Sequence, residues 1–100
     1  MKYIVLFEDA KTADPDIRAK YMSEHLAFLA RHADAVSAAG PLDDPEGKGR
    51  DGLWIVDAQT PEEVERLVRE DPFWPTGLRG GHAILPWKQV FPKSGGTAQS

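Results

Sequence analysis

Two ionisable side chains, His25 and Asp71, occupy positions in predicted helices at which apolar residues are expected. His25 falls inside the apolar stripe that runs along residues 17–33, and Asp71 continues the stripe formed within residues 64–68. Asp71 also comes at the C-terminal end of its helix, where the helix dipole disfavours a carboxylate by roughly 0.3–1 kcal/mol. An inward-facing acid in this position is expected to be held by a partner.

His25 and Asp71 are predicted to lie at matching heights on two parallel helices. Pro15 and Pro61 each open a helix, and His25 and Asp71 each follow their proline by ten residues. At a rise of about 1.5 Å per residue, both side chains lie about 15 Å along their helices. The spacing therefore predicts a His25–Asp71 pair.

A paired histidine and carboxylate can transfer protons. The carboxylate fixes the tautomer of the imidazole and stabilises the imidazolium, so we predict that His25 is a general base or acid and that Asp71 orients it. The chain has no cysteine, and no serine in a nucleophile-elbow pattern, which argues against acyl-enzyme chemistry. We predict a cofactor-independent, lyase- or isomerase-like enzyme that carries out an elimination or isomerisation on a small molecule.

Simpler interpretations of the same residues stay open. A single inward histidine is often a core residue with a satisfied hydrogen bond, and an aspartate before a proline often only ends a helix. A metal site built from His25, His32 and His82 is disfavoured because their spacing matches no known ligand pattern. No metal is therefore predicted.

The elements that would position these residues alternate between strands and helices. Thr60 to Glu63 forms a capping box, Asp14 is a candidate cap for the first helix, and Pro86 is expected at an edge or a bulge. Gly40-Pro41 is expected to break the second strand before a polar loop over residues 42–51. The predicted strands cover residues 3–7, 35–39, 53–56 and 82–91, and the predicted helices cover residues 14–34 and 61–71.

This order predicts one ferredoxin-like α+β domain over residues 1–92, with a four-stranded antiparallel sheet. Residues 93–100 are small and polar and are predicted to form a disordered tail. The strands are apolar on both faces, whereas the two helices cover only one face. We therefore predict a homodimer in which two sheets pack face to face.

Composition excludes several classes of function. The chain has 100 residues and a net charge of −4, without a run of Lys or Arg. This argues against nucleic-acid partners and against binding to an anionic membrane surface. The N-terminal apolar stretch is too short to span a bilayer and has no secretory cleavage pattern, so a cytoplasmic protein is expected.

Several short motifs, in order along residues 1–91, resemble the YciI-like (YCII-related domain) family. No single motif is specific, but their order and spacing together are. They are Tyr3-Ile4-Val5-Leu6-Phe7, His25-Leu26-Ala27-Phe28-Leu29, Ala39-Gly40-Pro41-Leu42, Gly52-Leu53-Trp54-Ile55-Val56, Asp71-Pro72-Phe73, Gly77-Leu78, Ile84-Leu85-Pro86-Trp87 and Val90-Phe91.

The resemblance implies a dimeric α/β-barrel of ferredoxin-like subunits and an active site whose histidine and aspartate correspond to His25 and Asp71. One relative eliminates HCl from a chlorinated aromatic, and muconolactone isomerases share the wider fold. Some members carry an arginine three residues before the histidine, where this chain has Met22. Arg18, one turn earlier, could replace that arginine only in part, and Arg79 is a further candidate contact for an anion.

In the leading hypothesis, Gly40, Pro41 and residues 42–51 line a pocket beside the pair, and Phe73 forms an apolar wall. Three alternatives stay open: a non-catalytic small-molecule-binding or accessory domain, a cofactor-less monooxygenase, and a structural dimerisation module. They differ in whether the pocket exists and whether a bound molecule is turned over.

Overall fold

The structure, a computed structural model, describes residues 1–92. The predicted tail, residues 93–100, lies outside the described residues. The elements in chain order are β1 (Lys2–Asp9), α1 (Ile17–Arg31), β2 (Val36–Pro41), β3 (Gly52–Asp57), α2 (Pro61–Glu70), a 3₁₀ turn (Trp74–Thr76) and β4 (Arg79–Trp87).

The four strands form one antiparallel sheet in the order β2-β3-β1-β4. The predicted βαββαβ arrangement is therefore confirmed: the first strand of each half lies at the centre and the second lies at an edge. No helix within residues 1–92 is long and apolar enough to cross a membrane.

The core lies between one face of the sheet and both helices. Tyr3, Val5 and Phe7 alternate along β1 and are almost completely buried, because successive side chains of a strand point to opposite faces. Phe28 of α1 and Val68 of α2 pack into the same cluster. The other face of the sheet is covered by neither helix.

The capping box predicted for α2 is confirmed. The Thr60 hydroxyl accepts a hydrogen bond from the Glu63 N–H, and the Glu63 carboxylate accepts one from the Thr60 N–H. The prediction for α1 is corrected. Its helix begins at Ile17, and the Asp14 carboxylate instead accepts from the Asp16 N–H in a tight turn. Proline at position 15 belongs to this turn and not to the helix.

Two strand boundaries also differ from the prediction. β2 continues through Gly40 and Pro41, which is possible because proline is tolerated at the end of an edge strand. β4 begins at Arg79 and ends at Trp87. Gly80 allows the early start: a Cβ there would lie 3.1 Å from the Cα of Ala10. Pro86 lies on the edge strand β4, as predicted.

Candidate active site

His25 and Asp71 are in direct contact beneath α1. Nδ1 of His25 lies 2.9 Å from Oδ1 of Asp71, and both side chains are buried. The predicted pair is therefore present, although its premise of equal helical distances is corrected: His25 follows the first residue of α1, Ile17, by eight residues, and Asp71 follows Pro61 by ten. It forms because α1 and α2 run side by side over the same face of the sheet.

Asp71 is fully buried at the point where α2 stops. It is the C-cap residue and has extended backbone geometry, as expected for a residue before a proline. Its Oδ1 also accepts a hydrogen bond of 3.1 Å from the Phe73 N–H. The turn after α2 therefore directs the backbone back towards the carboxylate.

Arg79 is the second charged partner of Asp71, and sequence reasoning missed this contact. NH1 of Arg79 lies 2.8 Å from Oδ2 of Asp71, and the side chain of Arg79 is only 7% exposed. The contact is a buried ion pair, and the two atoms have no other polar partner among the described residues.

The partners of Asp71 keep it ionised. Burial raises the pKa of Asp71, but the hydrogen bond from His25, the Arg79 charge and the Phe73 N–H lower it, and the net pKa is lowered. Burial lowers the pKa of Arg79, although the guanidinium remains protonated. Because the ionised carboxylate accepts from Nδ1–H, the neutral imidazole has its lone pair on Nε2.

Aromatic rings pack against the side chains of Arg79 and His25. The guanidinium of Arg79 lies 3.9 Å from the centre of the Phe7 ring and 5.5 Å from that of Phe73. The His25 ring centre lies 4.5 Å from that of Phe73. These rings fix the orientation of the two side chains and exclude water from the ion pair.

A cavity of about 120 Å³ opens beside His25. Its wall includes five residues proposed from the sequence as substrate contacts: Gly40, Pro41, Phe73, Arg18 and Arg79. The other wall residues are Phe7, Met22, His25, Leu26, Leu29, Ala39, Gly52, Leu53 and Trp54.

The prediction that residues 42–51 line the cavity is wrong. None of these residues belongs to its wall as the structure describes it. Their loop is held together by Asp44, which accepts hydrogen bonds from the Arg50 side chain, and by the Asp51 N–H, which donates to the Phe7 carbonyl. The loop thus closes against the end of β1.

Arg18 reaches the cavity from α1 but is already paired. Its NH2 donates to both carboxylate oxygens of Asp9 at 3.0 Å. Met22 lies on the same wall, where some relatives are expected to carry arginine. Arg18 and Arg79 are therefore the two guanidinium groups of this wall.

The remaining histidines do not converge on His25. His82 lies 2.7 Å from Glu65 of α2, and His32 packs against the ring of Phe28. No cluster of three candidate metal-ligating side chains occurs within residues 1–92. The three histidines therefore have separate environments.

A protein-family comparison identifies the chain. The family model of the YCII-related domain matches residues 1–88, which is most of the sequence. The chain belongs to the YCII-related family. The resemblance found in the sequence motifs is thereby confirmed. No curated protein matches the chain.

One solved structure confirms the fold of this YCII-related protein. It is 5-chloro-2-hydroxyhydroquinone dehydrochlorinase from Burkholderia phenoliruptrix, in complex with 2,5-dihydroxybenzoquinone. It has 22% sequence identity and a TM-score of 0.72, and the match covers 88% of this chain and 94% of that chain. A dimeric ferredoxin-like protein of unknown function from Thermobifida fusca has 16% identity and a TM-score of 0.45, over 84% and 85% of the two chains.

Proposed function

We propose that this YCII-related protein is a small cofactor-independent enzyme in which His25 transfers protons and Asp71 orients it. The observation that carries the proposal is the 2.9 Å contact between Nδ1 of His25 and the buried carboxylate of Asp71. It leaves Nε2 as the ring nitrogen that can exchange a proton with a molecule in the cavity. A base of this kind contributes roughly 10²–10⁴-fold to a rate.

The reaction class is elimination or isomerisation at an acidic carbon. Nε2 takes a proton from the carbon, and the electron pair of the C–H bond stays on the substrate. In an elimination, a leaving group departs with its bonding pair, and the imidazolium later releases its proton to water. In an isomerisation, the imidazolium returns the proton to a different carbon. Asp71 stabilises the imidazolium in both cases.

A protein of the same fold carries out a reaction of this class. The Burkholderia phenoliruptrix protein is a dehydrochlorinase of a chlorinated hydroxyhydroquinone, and loss of hydrogen chloride is an elimination. Because fold alone does not determine function, the support comes from the His25–Asp71 geometry together with the cavity beside it.

The proposal is tested by two assays on the purified protein. The first measures chloride release from 5-chloro-2-hydroxyhydroquinone, and the second measures deuterium uptake from D₂O into small hydroxylated rings by NMR. We expect His25→Asn to lower kcat/KM by roughly 10²–10⁴-fold. His32→Asn is the matched control because His32 ends the same helix and lies outside the cavity wall.

Two outcomes would overturn the enzymatic role. One is equal turnover by the wild type and His25→Asn. The other is binding of these rings without any turnover, which would identify a non-catalytic binding domain.

We also propose that the protein forms a homodimer through the uncovered face of the sheet. Ile4 and Leu6 of β1 point to this face, next to Leu53 and Ile55 of β3 and Leu85 of β4. Leu85 is 46% exposed in the single chain. A contiguous apolar patch at the centre of a sheet is typical of an interface.

A further inference from the structure

Each guanidinium on the wall of the cavity beside His25 is matched by a carboxylate of the chain itself. NH2 of Arg18 lies 3.0 Å from both carboxylate oxygens of Asp9, and NH1 of Arg79 lies 2.8 Å from Oδ2 of Asp71. Neither carboxylate is among the described wall residues, so both counter-charges lie just outside the cavity. With a neutral imidazole at His25, which is the form that acts as a base, the wall and its counter-charges sum to zero.

Asp9 is held in place at the end of β1. Its N–H donates a hydrogen bond of 2.8 Å to the carboxylate of Asp51, which brings a second negative charge to the same strand end. The side chains of Arg18 and Asp9 are only 35% and 30% exposed, so solvent screens their attraction in part. The carboxylate of Asp9 therefore opposes the field of Arg18 inside the cavity.

The remainder of the wall carries no charge. Apart from the indole of Trp54, none of its other residues has a polar side chain. Met22 and Leu26 follow Arg18 at intervals of four residues on α1, so these side chains lie along one face of the helix. Leu26 is 56% exposed, which makes the entrance apolar. An ion that entered would lose its water without gaining a free counter-charge, whereas a neutral apolar molecule gains from burial.

The size of the cavity and the chemistry of a base narrow the ligand further. The volume of about 120 Å³ is slightly below that of an engineered cavity of roughly 150 Å³ that holds benzene, so about six or seven non-hydrogen atoms fit. A base removes a proton from carbon readily when a neighbouring group accepts the electron pair, and a carbonyl is a small uncharged group of this kind. As the proton moves to Nε2 of His25, the electron pair moves onto the carbonyl oxygen. An imidazolium and an enolate then form together, and the total charge stays zero.

We propose that the cavity takes a small, uncharged carbonyl compound and that Asp9 determines this preference by neutralising Arg18. The inference rests on the proposed function in one respect, because it is His25 that acts on the bound molecule. Asp9 contacts Arg18 and not the ligand, so it is a specificity-determining residue. A carboxylate of the same shape as the ligand is rejected because both guanidinium groups already have partners.

The test is an NMR titration of the wild-type protein at neutral pH with 4-methylpentan-2-one and 3-methylbutanoate. The two molecules have the same shape and differ only in a methyl group that replaces a charged oxygen. Shifts of the Gly40 and Gly52 amide signals report binding in the cavity, because both residues line it. We expect the ketone to bind at least about tenfold more tightly than the anion. Equal or tighter binding of 3-methylbutanoate, or no binding of the ketone at tens of millimolar, would overturn the proposal.

Asp9→Asn tests the source of the preference. The variant keeps the shape of the side chain and removes the counter-charge of Arg18, so 3-methylbutanoate should bind at least about threefold more tightly and the ketone as before. Asp57→Asn is the matched control: Asp57 also belongs to an ion pair on a strand, with Lys2, and lies outside the wall. Both variants change the net charge equally. If Asp9→Asn affects the anion no more than the control does, Asp9 has no role in the preference.

Arg18→Met completes a double-mutant cycle. Alone, it leaves the charge of Asp9 unopposed, so the anion should bind more weakly than to the wild type while the ketone is unaffected. Combined with Asp9→Asn, it removes both charges of the pair, and the wild-type preference should return. A gain in anion binding by Asp9→Asn that persists in the combined variant would contradict neutralisation of Arg18.

His25→Asn separates this inference from the proposed function. It retains both ion pairs, so we expect it to bind the ketone with the charge preference of the wild type but to lose deuterium uptake from D₂O at the carbons next to the carbonyl. If the preference is present and no substrate is turned over, the enzymatic proposal fails and the charge preference stands. If turnover depends on His25 but 3-methylbutanoate binds as well as the ketone, only the charge preference fails.

Discussion

Asp71 gathers three partners around one buried carboxylate. His25 and the Phe73 N–H contact Oδ1, and Arg79 lies beside Oδ2. Hydrogen bonds to a charged group contribute roughly 1.5–3 kcal/mol each, which exceeds the roughly 0.3–1 kcal/mol cost of an acid at this end of a helix. The larger opposing cost is removal of the carboxylate from water, which makes every partner necessary.

Replacement of Asp71 by asparagine should destabilise the protein. The variant keeps an acceptor for His25 but leaves the Arg79 charge buried and uncompensated. We expect the free energy of unfolding to fall by roughly 3–5 kcal/mol, measured by urea denaturation. Asp34→Asn, at an exposed position after α1, is the control and should have no effect. A loss for Asp71→Asn as small as that of the control would show that Arg79 does not depend on Asp71.

The two side-chain partners of Asp71 differ in how well the sequence predicts them. His25 could be found because helical periodicity fixes its direction, although the count from Pro15 was not a count along the helix, since α1 begins at Ile17. Arg79 could not, because the chain turns between the residues through a 3₁₀ turn and through Gly77, which has a φ of 82°. No regular period relates a residue before such a turn to one after it. The sequence also placed Arg79 before the last predicted strand, residues 82–91, whereas β4 begins at Arg79.

At the scale of the elements, α2 is fixed at both ends and along its side. The capping box fixes its start, and Pro72 follows its C-cap residue. Glu65 lies midway along it and contacts His82 of β4 at 2.7 Å and Arg69 of the same helix at 2.7 Å. The helix that carries Asp71 is therefore tied to the strand that carries Arg79.

Glu65→Gln should reduce stability in a pH-dependent way. The hydrogen bond with His82 lowers the pKa of Glu65, burial partly opposes this, and Arg69 lowers it further. The folded pKa thus lies below the unfolded value of about 4.3. The charged form of Glu65 therefore stabilises the folded protein in full above the unfolded pKa. This contribution to the free energy of unfolding disappears as the pH falls through the folded pKa.

This stability difference is measured by urea unfolding of both proteins between pH 3 and pH 7. We expect the wild type to be more stable by about 1 kcal/mol or less at neutral pH, because Glu65 is partly exposed. The difference should narrow below pH 4. Glu70→Gln, exposed on the same helix, is the control. A difference that stays constant down to pH 3 would exclude a role for the charge of Glu65.

Element types could be predicted from the sequence, whereas several boundaries could not. The continuous apolar run of β1 and the Thr60 capping box are local signals, and both correspond to observed features. The starts of α1 and β4 depend on contacts made elsewhere: the Asp14 side chain turns back onto the backbone, and Gly80 lies against Ala10. Both starts depend on which hydrogen bonds form and on how closely two backbone segments approach. The periodicity of apolar residues carries no information about either.

At the scale of the whole molecule, one chain completes a sheet but not a closed structure. The order of strands and helices was enough to predict the ferredoxin-like fold, because the handedness of two β-α-β units leaves few arrangements. The barrel implied by the family requires a second sheet, and the single chain leaves one apolar face open. Closure is therefore part of our dimer proposal, in which the uncovered faces of two copies pack together.

Leu6→Lys tests this assembly. Leu6 lies on the central strand β1, opposite Leu53 and Ala83 on the uncovered face. A lysine there would be buried without a partner between two sheets, whereas in a single chain it would extend into water. In sedimentation velocity at micromolar concentration, we expect the wild type to be a dimer and the variant to be a folded monomer with an unchanged circular dichroism spectrum. Ala27→Lys, on the exposed side of α1, should remain a dimer. A wild type that sediments as a monomer would contradict face-to-face packing, and a dimeric Leu6→Lys would place the interface elsewhere.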